Sequence, residues 1–442
     1  MSVRPATDPS RAAHVDLGFR YHRPMTAPFD LADLSVAADP YPVYRQLLAH
    51  APVSASRSGR TWHVARHRDV CALLLSPHAS SSRIPAIVGT LPETLRAAVE
   101  PLTGSLAAWL LFLDTPHHGP LRRVVARSLS MRVIEDMRPR IATLADELVV
   151  EALAAQDSRA DGARGLDVIA DLAYPLPTMI IAELLGAASG ERARFKRCAD
   201  DLSQFLGAPL SPELVRRAQA AVIEMTGYFT ELLAEHRRVP RSALLEALLD
   251  AQRAMPDLND AALVANCIML TFAGHETTTN LIGNSALTLL RHPDQLAALQ
   301  ANPELGTSAI EECMRYQSPV QRISRLTTAP LVFSGQEIPA GRRVIALLGA
   351  ANRDPEVFAE PDRFDIRRSP NRHLGFGHGA HLCVGATLGR IEAEAAIAAL
   401  LRHMPNGALG ARPGDAWQPR WQPNLGLRAL EELPVHESVS AR

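Results

Sequence analysis

The sequence predicts a mostly α-helical fold carrying a small strand-rich lobe. Two observations carry this. Ala, Leu, Arg and Glu recur at helical spacing over long stretches, among them 137–155 (MRPRIATLADELVVEALAA), 212–238 and 242–254. Strand signals, by contrast, are confined to two places. The segment around Gly59 (PVSASRSGRTWHVAR) reads as a hairpin. The stretch 322–348 (RISRLTTAPLVFSGQEIPAGRRVIALL) reads as a set of strands turning at Gly335 and at Ala340-Gly341.

Of the 442 residues, 47 % are hydrophobic and 21 % charged, which suffices for one large core. No repeat and no low-complexity linker divides the chain. Residues 1–25 are aperiodic and read as a loose arm, 26–433 as a single folded domain, and 434–442, ending in HESVSAR, as a frayed tail. A formal net charge of −1 supplies no global field toward nucleic acid or an anionic membrane. Five cysteines (Cys71, Cys198, Cys267, Cys313, Cys383) are scattered and form no CxxC pair, which speaks against a disulfide framework and for a reducing cytoplasm. The start, MSVRPATDPSRAAHVDLG, has no apolar stretch behind its basic residues. No later run reaches about 18 unbroken apolar residues, so neither a signal peptide nor a membrane anchor is expected.

Two helices matter most. One is capped near Asn259-Asp260 and runs to about Arg291, where His292-Pro293 stops it. At 1.5 Å per residue it would span roughly 48 Å, enough to cross the molecule. The other starts just after Cys383 and continues through GATLGRIEAEAAIAALLRHM until Pro405 ends it.

The segment Phe376-Gly377-His378-Gly379-Ala380-His381-Leu382-Cys383-Val384-Gly385 precedes that second helix. Its three glycines permit positive φ and close approach of backbone to a flat ligand. A cysteine at a helix N-terminus meets free amide N–H groups and the positive end of the macrodipole, which favour a thiolate. Such a sulfur is a strong, soft ligand for iron. Most single cysteines are small buried hydrophobes, but the glycine spacing, His381 and the helix start together argue against that reading here. A cysteine hydrolase would need a histidine base, which the local pattern does not supply.

In the long central helix, Ala273-Gly274-His275-Glu276-Thr277-Thr278 sets an acid and hydroxyls amid apolar residues. A buried carboxylate needs a partner or a proton pathway. Threonine can bond back to the i−4 carbonyl, and Gly274 weakens the helix by about 1 kcal/mol relative to Ala. Three irregularities at one point suggest a functional kink, the bland alternative being a solvated polar face. Glu312 and Arg315 share one face of a further helix, a pattern that alone usually marks a surface salt bridge.

These segments resemble the cytochrome P450 family at five separated places in family order. The cysteine segment is similar to the haem-binding loop F-x-x-G-x-[HR]-x-C-x-G, and 273–277 to the oxygen-binding motif [AG]-G-x-[DE]-T. The resemblance implies a single-domain, triangular, mostly α fold with a small β-rich lobe, and haem b between two central helices. Cys383 would hold the iron, with Phe376, Gly377, His381 and Gly385 forming the loop against the porphyrin. Thr277 would hydrogen-bond the activated oxygen, Glu276 would relay protons, and Ala273 and Gly274 would leave room over the haem face; His275 has no implied role. Glu312-x-x-Arg315 resembles the family's E-x-x-R element, and Pro361-Asp362-Arg363-Phe364 its following segment, which implies a buried Glu312–Arg315–Arg363 brace. The stretch 113–123 resembles D-P-P-x-H-x-x-x-R, so that His118, four before Arg122, would meet a haem propionate, with His117 as the neighbouring alternative. Arg122, Arg325 and His381 complete the propionate set.

The implied activity is insertion of one atom of O2 into an organic substrate, with two electrons from a separate ferredoxin or flavodoxin and its reductase. Neither nucleic acid nor a membrane is an expected partner. Specificity loops would fall near 78–110 and 186–215, which contain Ile84, Ile87, Val88, Leu91, Trp109, Phe205 and Leu206. An apolar pocket follows, and with it a bulky substrate such as a polyketide or macrolide-like intermediate. Two alternatives stay open. One is a family member with other chemistry (peroxide-driven oxidation, phenol coupling, nitric-oxide reduction); the other is a haem sensor without turnover.

Overall fold

Caps written into the sequence set where the main helices begin. Ser211 Oγ accepts from the Leu214 N–H (3.2 Å), Ser242 Oγ from Leu245 (3.0 Å) and Asn259 Oδ1 from Ala262 (2.9 Å). A computed structural model of the chain describes residue 31 and residues 35–89, 93–156, 165–207, 211–255, 258–412 and 414–437. The arm 1–25, Leu91 and the last five residues lie outside these.

Helices α1 (Ser35–Ala38), α2 (Tyr41–His50) and α3 (His67–Leu75) flank the strand-rich lobe. Short helices α4 (Ile84–Gly89), α5 (Glu93–Ala98) and α6 (Glu100–Ala108) lead to α7 (His118–Ser128) and α8 (Met131–Gln156). Then come α9 (Pro175–Leu185), α10 (Arg192–Gly207), α11 (Pro212–His236) and α12 (Ala243–Ala254), followed by the central α13 (Asp260–Leu290). Last are α14 (Pro293–Ala301), α15 (Gly306–Tyr316), α16 (Leu348–Ala351) and α17 (Ala386–His403). The expected mostly α body with a small strand-rich lobe is what the chain forms. Helix α13 is apolar on nearly every side and packs against α9, α10, α11 and α17, so the main core is built around it.

Among the described residues the strands gather in three sheets. Strands β1 (Val53–Ala55), β2 (Thr61–Val64), β3 (Ala79–Ser80), β5 (Arg322–Thr327) and β8 (Arg343–Leu347) form one sheet in the order β1-β2-β8-β5-β3, with β2 and β8 parallel. The Gly59 hairpin and the strand set of 322–348 thus meet in one lobe. Strands β6 (Leu331–Phe333) and β7 (Gln336–Ile338) pair across Gly335, whose φ of 76° suits a residue without a Cβ. The third sheet, of β4 (Gly165–Asp167), β9 (Gly407–Leu409) and β10 (Pro434–Glu437), corrects the frayed-tail reading for 434–437, the rest of that tail lying outside the described residues. Val435 and His436 sit between the two partner strands, and both are buried. That burial anchors the segment.

A helical stretch, Val168–Leu185, is long and apolar enough to span a membrane by length and composition. More than half of it is buried in the protein, and α9 packs on α13, so its apolarity serves the core.

The Glu312 brace is present with a different third member. Glu312 and Arg315 are fully buried and joined by two 2.8 Å bonds. The Arg363 side chain instead faces solvent beside Glu360, and only its backbone carbonyl receives Arg315. Arg368 takes its place, with Nε 3.2 Å from Glu312 Oε1, while Asn371 donates to the other oxygen. The turn closed by Arg363 N–H on Glu360 O carries Arg363 outward, and the next turn, closed by Arg368 N–H on Asp365 O, brings Arg368 back. Arg368→Ala should therefore cost about 2 kcal/mol by weakening a buried ionic cluster, and Arg363→Ala no more than about 0.5 kcal/mol. Urea unfolding of the two variants checks this.

Candidate functional site

Backbone bonds stitch the cysteine loop. The Gly377 N–H donates to Leu374 O (2.8 Å), Leu382 to Gly379 O (3.0 Å) and Cys383 to Phe376 O (2.9 Å). Gly377 and Gly379 take φ values of 78° and 72°, where a Cβ is strained. Gly385 differs: its φ is −91°, it caps α17, and an added Cβ would meet nothing within 4 Å. Open space therefore lies beside it. The Cys383 side chain is accessible, yet burial pushes its thiol up, with the Gly385 amide and the charges of Arg122 and Arg390 pulling down. Those two facts agree if Sγ looks into an enclosed space rather than bulk solvent. The helix start alone does not make a thiolate here; a metal cation at the sulfur would reverse the balance.

The middle of α13 opens in a matching way. From Leu263 to Leu289 all residues are buried except Ala273, Gly274 and Thr277. Positions i, i+1 and i+4 lie on one side of a helix. At Gly274 an added Cβ would also come within 3.3 Å of Ile181, so α9 shares the need for a glycine. On α17, a Cβ added at Gly389 would lie 3.6 Å from Thr278 Oγ1, which sets the centre of α13 beside the helix that starts at the cysteine loop. The expected kink is not a break. Helix α13 is continuous, and the irregularity is the Thr277 hydroxyl donating to Ala273 O at 2.8 Å.

Glu276 points the other way, toward α10. It is 5 % exposed and accepts only two long bonds, from Ser203 Oγ and Asn280 Nδ2, both 3.4 Å. Burial, with Asp200 nearby, pushes its carboxyl up to about 7. Asp200 pairs with Lys196 at 3.2 Å on the outer side of α10. His275 is buried edge-on against the Tyr174 ring (centroids 4.7 Å apart), and burial brings its pKa down to about 3, so it is neutral.

The four residues expected at the propionates converge from three segments. His118 is buried and His117 exposed, so helix phase selects His118. Its ring lies 4.1 Å from that of His381, and its Nε2 has no hydrogen-bond partner. His381 Nε2 sits 3.1 Å from Ser81 Oγ, and Arg122 donates to Leu382 O at 2.6 Å. Arg325 is 5 % exposed, and among the described residues its guanidinium is bonded only to Ser324 O. Burial and neighbouring positive charge push His381 down to about 3; burial brings Arg325 to about 10. Two arginines beside two imidazoles whose protonation burial and the arginine charges oppose, with an orphaned ring nitrogen among them, suit a ligand bearing two carboxylates. Together with an accessible cysteine and a glycine-lined opening, this donor set fits haem b.

Sequence reasoning missed several members. Asp114 accepts from Ser80 Oγ (2.5 Å) and the Ser81 N–H (2.9 Å), tying the serine-rich loop to the segment that leads into α7. Glu311, rather than Glu312, faces the cysteine loop: it bonds Arg390 (2.6 Å) and His373 (3.0 Å), and Arg390 lies 4.3 Å over the Phe376 ring. Although burial raises Glu311, its two partners bring it down to about 2. Arg83 also joins the cation group. Trp109, expected in the substrate pocket, is instead fully buried against Phe112 and Phe272.

Comparison with known proteins bears on the family and the fold. A family model described as Cytochrome P450 matches residues 96–404. The chain is 39 % identical over 411 residues to the cytochrome P450 monooxygenase PikC of Streptomyces venezuelae, covering 90 % of this chain and 91 % of that protein. The crystal structure of P450BioI in complex with acyl carrier protein ligated by hexadec-9Z-enoic acid superimposes with a TM-score of 0.82 at 34 % identity, covering 92 % of this chain and 100 % of that one. The bacillaene polyketide synthase cytochrome P450 PksS of Bacillus subtilis 168 gives 0.79 at 29 %, covering 93 % and 100 %.

Proposed function

Because the chain belongs to the cytochrome P450 family and is thus a haem b monooxygenase, we propose that it oxidises a bulky, mostly apolar natural-product intermediate of the polyketide type, with Cys383 holding the iron. One observation supports the site assignment: Cys383 is accessible at the start of α17, and the helix packed beside α17, α13, leaves Ala273, Gly274 and Thr277 uncovered.

Haem held there supplies the binding and reductive activation of O2. The chain's own residues do the rest. His118, Arg122, Arg325 and His381 hold and orient the ring through its carboxylates. Phe376, Gly377 and Gly385 keep the proximal side close and dry. Ala273 and Gly274 leave space for a substrate carbon. Thr277 Oγ1 donates to Ala273 O and keeps lone pairs free to accept a hydrogen bond. Glu276, poised near neutrality, holds a proton at its carboxyl and passes it inward while Ser203 and Asn280 keep it oriented. In the overall balance, substrate, O2, two electrons and two protons give oxygenated product and water. The electrons come from a separate ferredoxin or flavodoxin.

The substrate class is supported by the partly buried apolar Val88, Phe205 and Leu206 and by structural neighbours whose names specify an acyl chain on a carrier protein and a polyketide synthase. The test is a ligand panel read by displacement of the iron's water ligand in the absorbance spectrum. Polyketide macrolactones should bind more tightly than short fatty acids or small terpenes; the reverse order overturns the substrate class. Product formation should require a surrogate ferredoxin system. Full turnover on peroxide alone, without any reductase, would establish the peroxygenase alternative instead.

A further inference from the structure

After β3 the chain turns sharply, with the Arg83 N–H donating to Ser81 O at 2.8 Å, and α4 begins at Ile84. This turn carries the Arg83 side chain inward. Its guanidinium lies 4.3 Å over the ring of the buried Phe112, and Nη1 reaches Ser324 O at 3.5 Å, the limit of a hydrogen bond. Arg325 Nη1 donates to the same oxygen at 3.0 Å. Two guanidinium groups from distant segments therefore share one neutral acceptor. Among the described residues neither forms an ion pair. Asp114, whose charge acts on Arg325, is already occupied by Ser80 and Ser81. Burial first, then Arg325 and Arg343, pushes Arg83 down to about 9. Like charges held together away from water are costly unless an anion joins them.

Resting on the haem reading above, we propose that Arg83 is a carboxylate-binding residue, closing with Arg325 on an acidic group presented from the haem side of the pocket. Two sources offer that chemistry: a propionate of the cofactor, and the carboxylate of an acidic substrate. A planar guanidinium suits either, since its paired N–H donors match both oxygens of a carboxylate. Arg83 stands on the loop that leads into α4, one of the segments expected to contact substrate. Closing on a carboxylate would therefore hold that loop at a fixed height over the site.

The holoenzyme of Arg83→Gln and Arg83→Lys, with Arg325→Gln beside them, distinguishes the sources. Haem loss to excess apomyoglobin reads the cofactor; spectral binding of tetradecanoic acid against tetradecan-1-ol reads the substrate. If the anion is a propionate, Arg83→Gln should speed haem loss about tenfold, as expected for losing a charge-assisted bond, with Arg83→Lys between it and the parent. If it is a substrate acid, haem loss stays unchanged, while the acid binds about tenfold more weakly and the alcohol as before. Unchanged haem loss together with unchanged acid binding overturns the proposal, and so does equal weakening of acid and alcohol, which would mean simple packing. Arg83→Lys keeps the charge and secures the comparison should the glutamine variant fold poorly. A parent protein lacking a thiolate-type carbonyl band would instead overturn the haem reading itself.

Discussion

Replacing Cys383 with serine should lower oxygenase turnover by at least about 1,000-fold and remove the thiolate-type red-shifted band of the reduced carbonyl adduct. The loop should survive. The bonds that shape it run through the backbone of Gly377, Leu382 and Cys383, and none uses the sulfur. What disappears is the cysteine that is most accessible among the described residues. Cys198, Cys267 and Cys313 are buried, and burial pushes each of their thiols up to about 12. Cys71 is partly accessible, but burial raises its thiol too, and its sulfur sits beside His67 at 3.7 Å on α3. Serine offers a hydroxyl that stays protonated and pushes far less electron density toward bound oxygen than a thiolate does. Haem content and the thermal midpoint should be measured in parallel, so that loss of chemistry is separated from loss of cofactor. Retention of the red-shifted band by the serine variant would move the iron ligand to another residue and undo the site assignment.

Legibility from sequence followed how local each feature is. The central helix could be read to within one residue at each end, because Asn259 caps it and Pro293 stops it through contacts a few residues long. The cysteine loop was equally readable, since its glycines answer a local backbone demand. Features that depend on how distant segments meet were read less well. Arg363 looked like the third member of the Glu312 brace because it sits in a recognisable segment. Arg368 was passed over because only the folded turn shows which arginine comes back. Val435 looks like tail until β4 and β9, far away in the chain, arrive on either side of it. Arg83 gave no signal at all: SSSRIP carries no motif, and its meaning comes from Ser324 and Phe112, which the sequence does not place near it. Doubled histidines were resolved only by the phase of α7, which buries His118 and exposes His117.

Glu276→Gln should lower coupled turnover by about 100-fold while making the protein more stable at alkaline pH, an opposition that a merely structural glutamate would not produce. The reason lies in how Glu276 is held. Two 3.4 Å bonds are too long to compensate for burial, so its carboxyl rises from 4.5 to about 7. A folded-state pKa above the unfolded one means that the folded protein binds the proton more tightly. Below pH 4.5 the group is protonated in both states and costs nothing as a charge. As pH rises from 4.5 through 7 the unfolded state ionises freely while the folded state resists, so stability is lost. The loss levels off at about 3 kcal/mol, since each tenfold difference in proton affinity between the two states is worth roughly 1.4 kcal/mol. Glutamine cannot ionise, so the variant's advantage in urea unfolding should be absent around pH 4 and grow to about 3 kcal/mol by about pH 8. Glu392, also buried with its carboxyl raised, is present in both proteins and cancels in the difference. Turnover should tell the opposite story. The parent should lose rate above about pH 7 as the carboxyl gives up its proton, whereas the variant should be slow and flat across the same range. Thr277→Ala should separate the two roles. It keeps the carboxyl and hence the parent's pH-dependent stability, but it removes the hydroxyl on the open face of α13, so O2 should be consumed without product. A glutamine variant with full coupled turnover and the parent's alkaline limb would show that protons reach the site by a path other than Glu276.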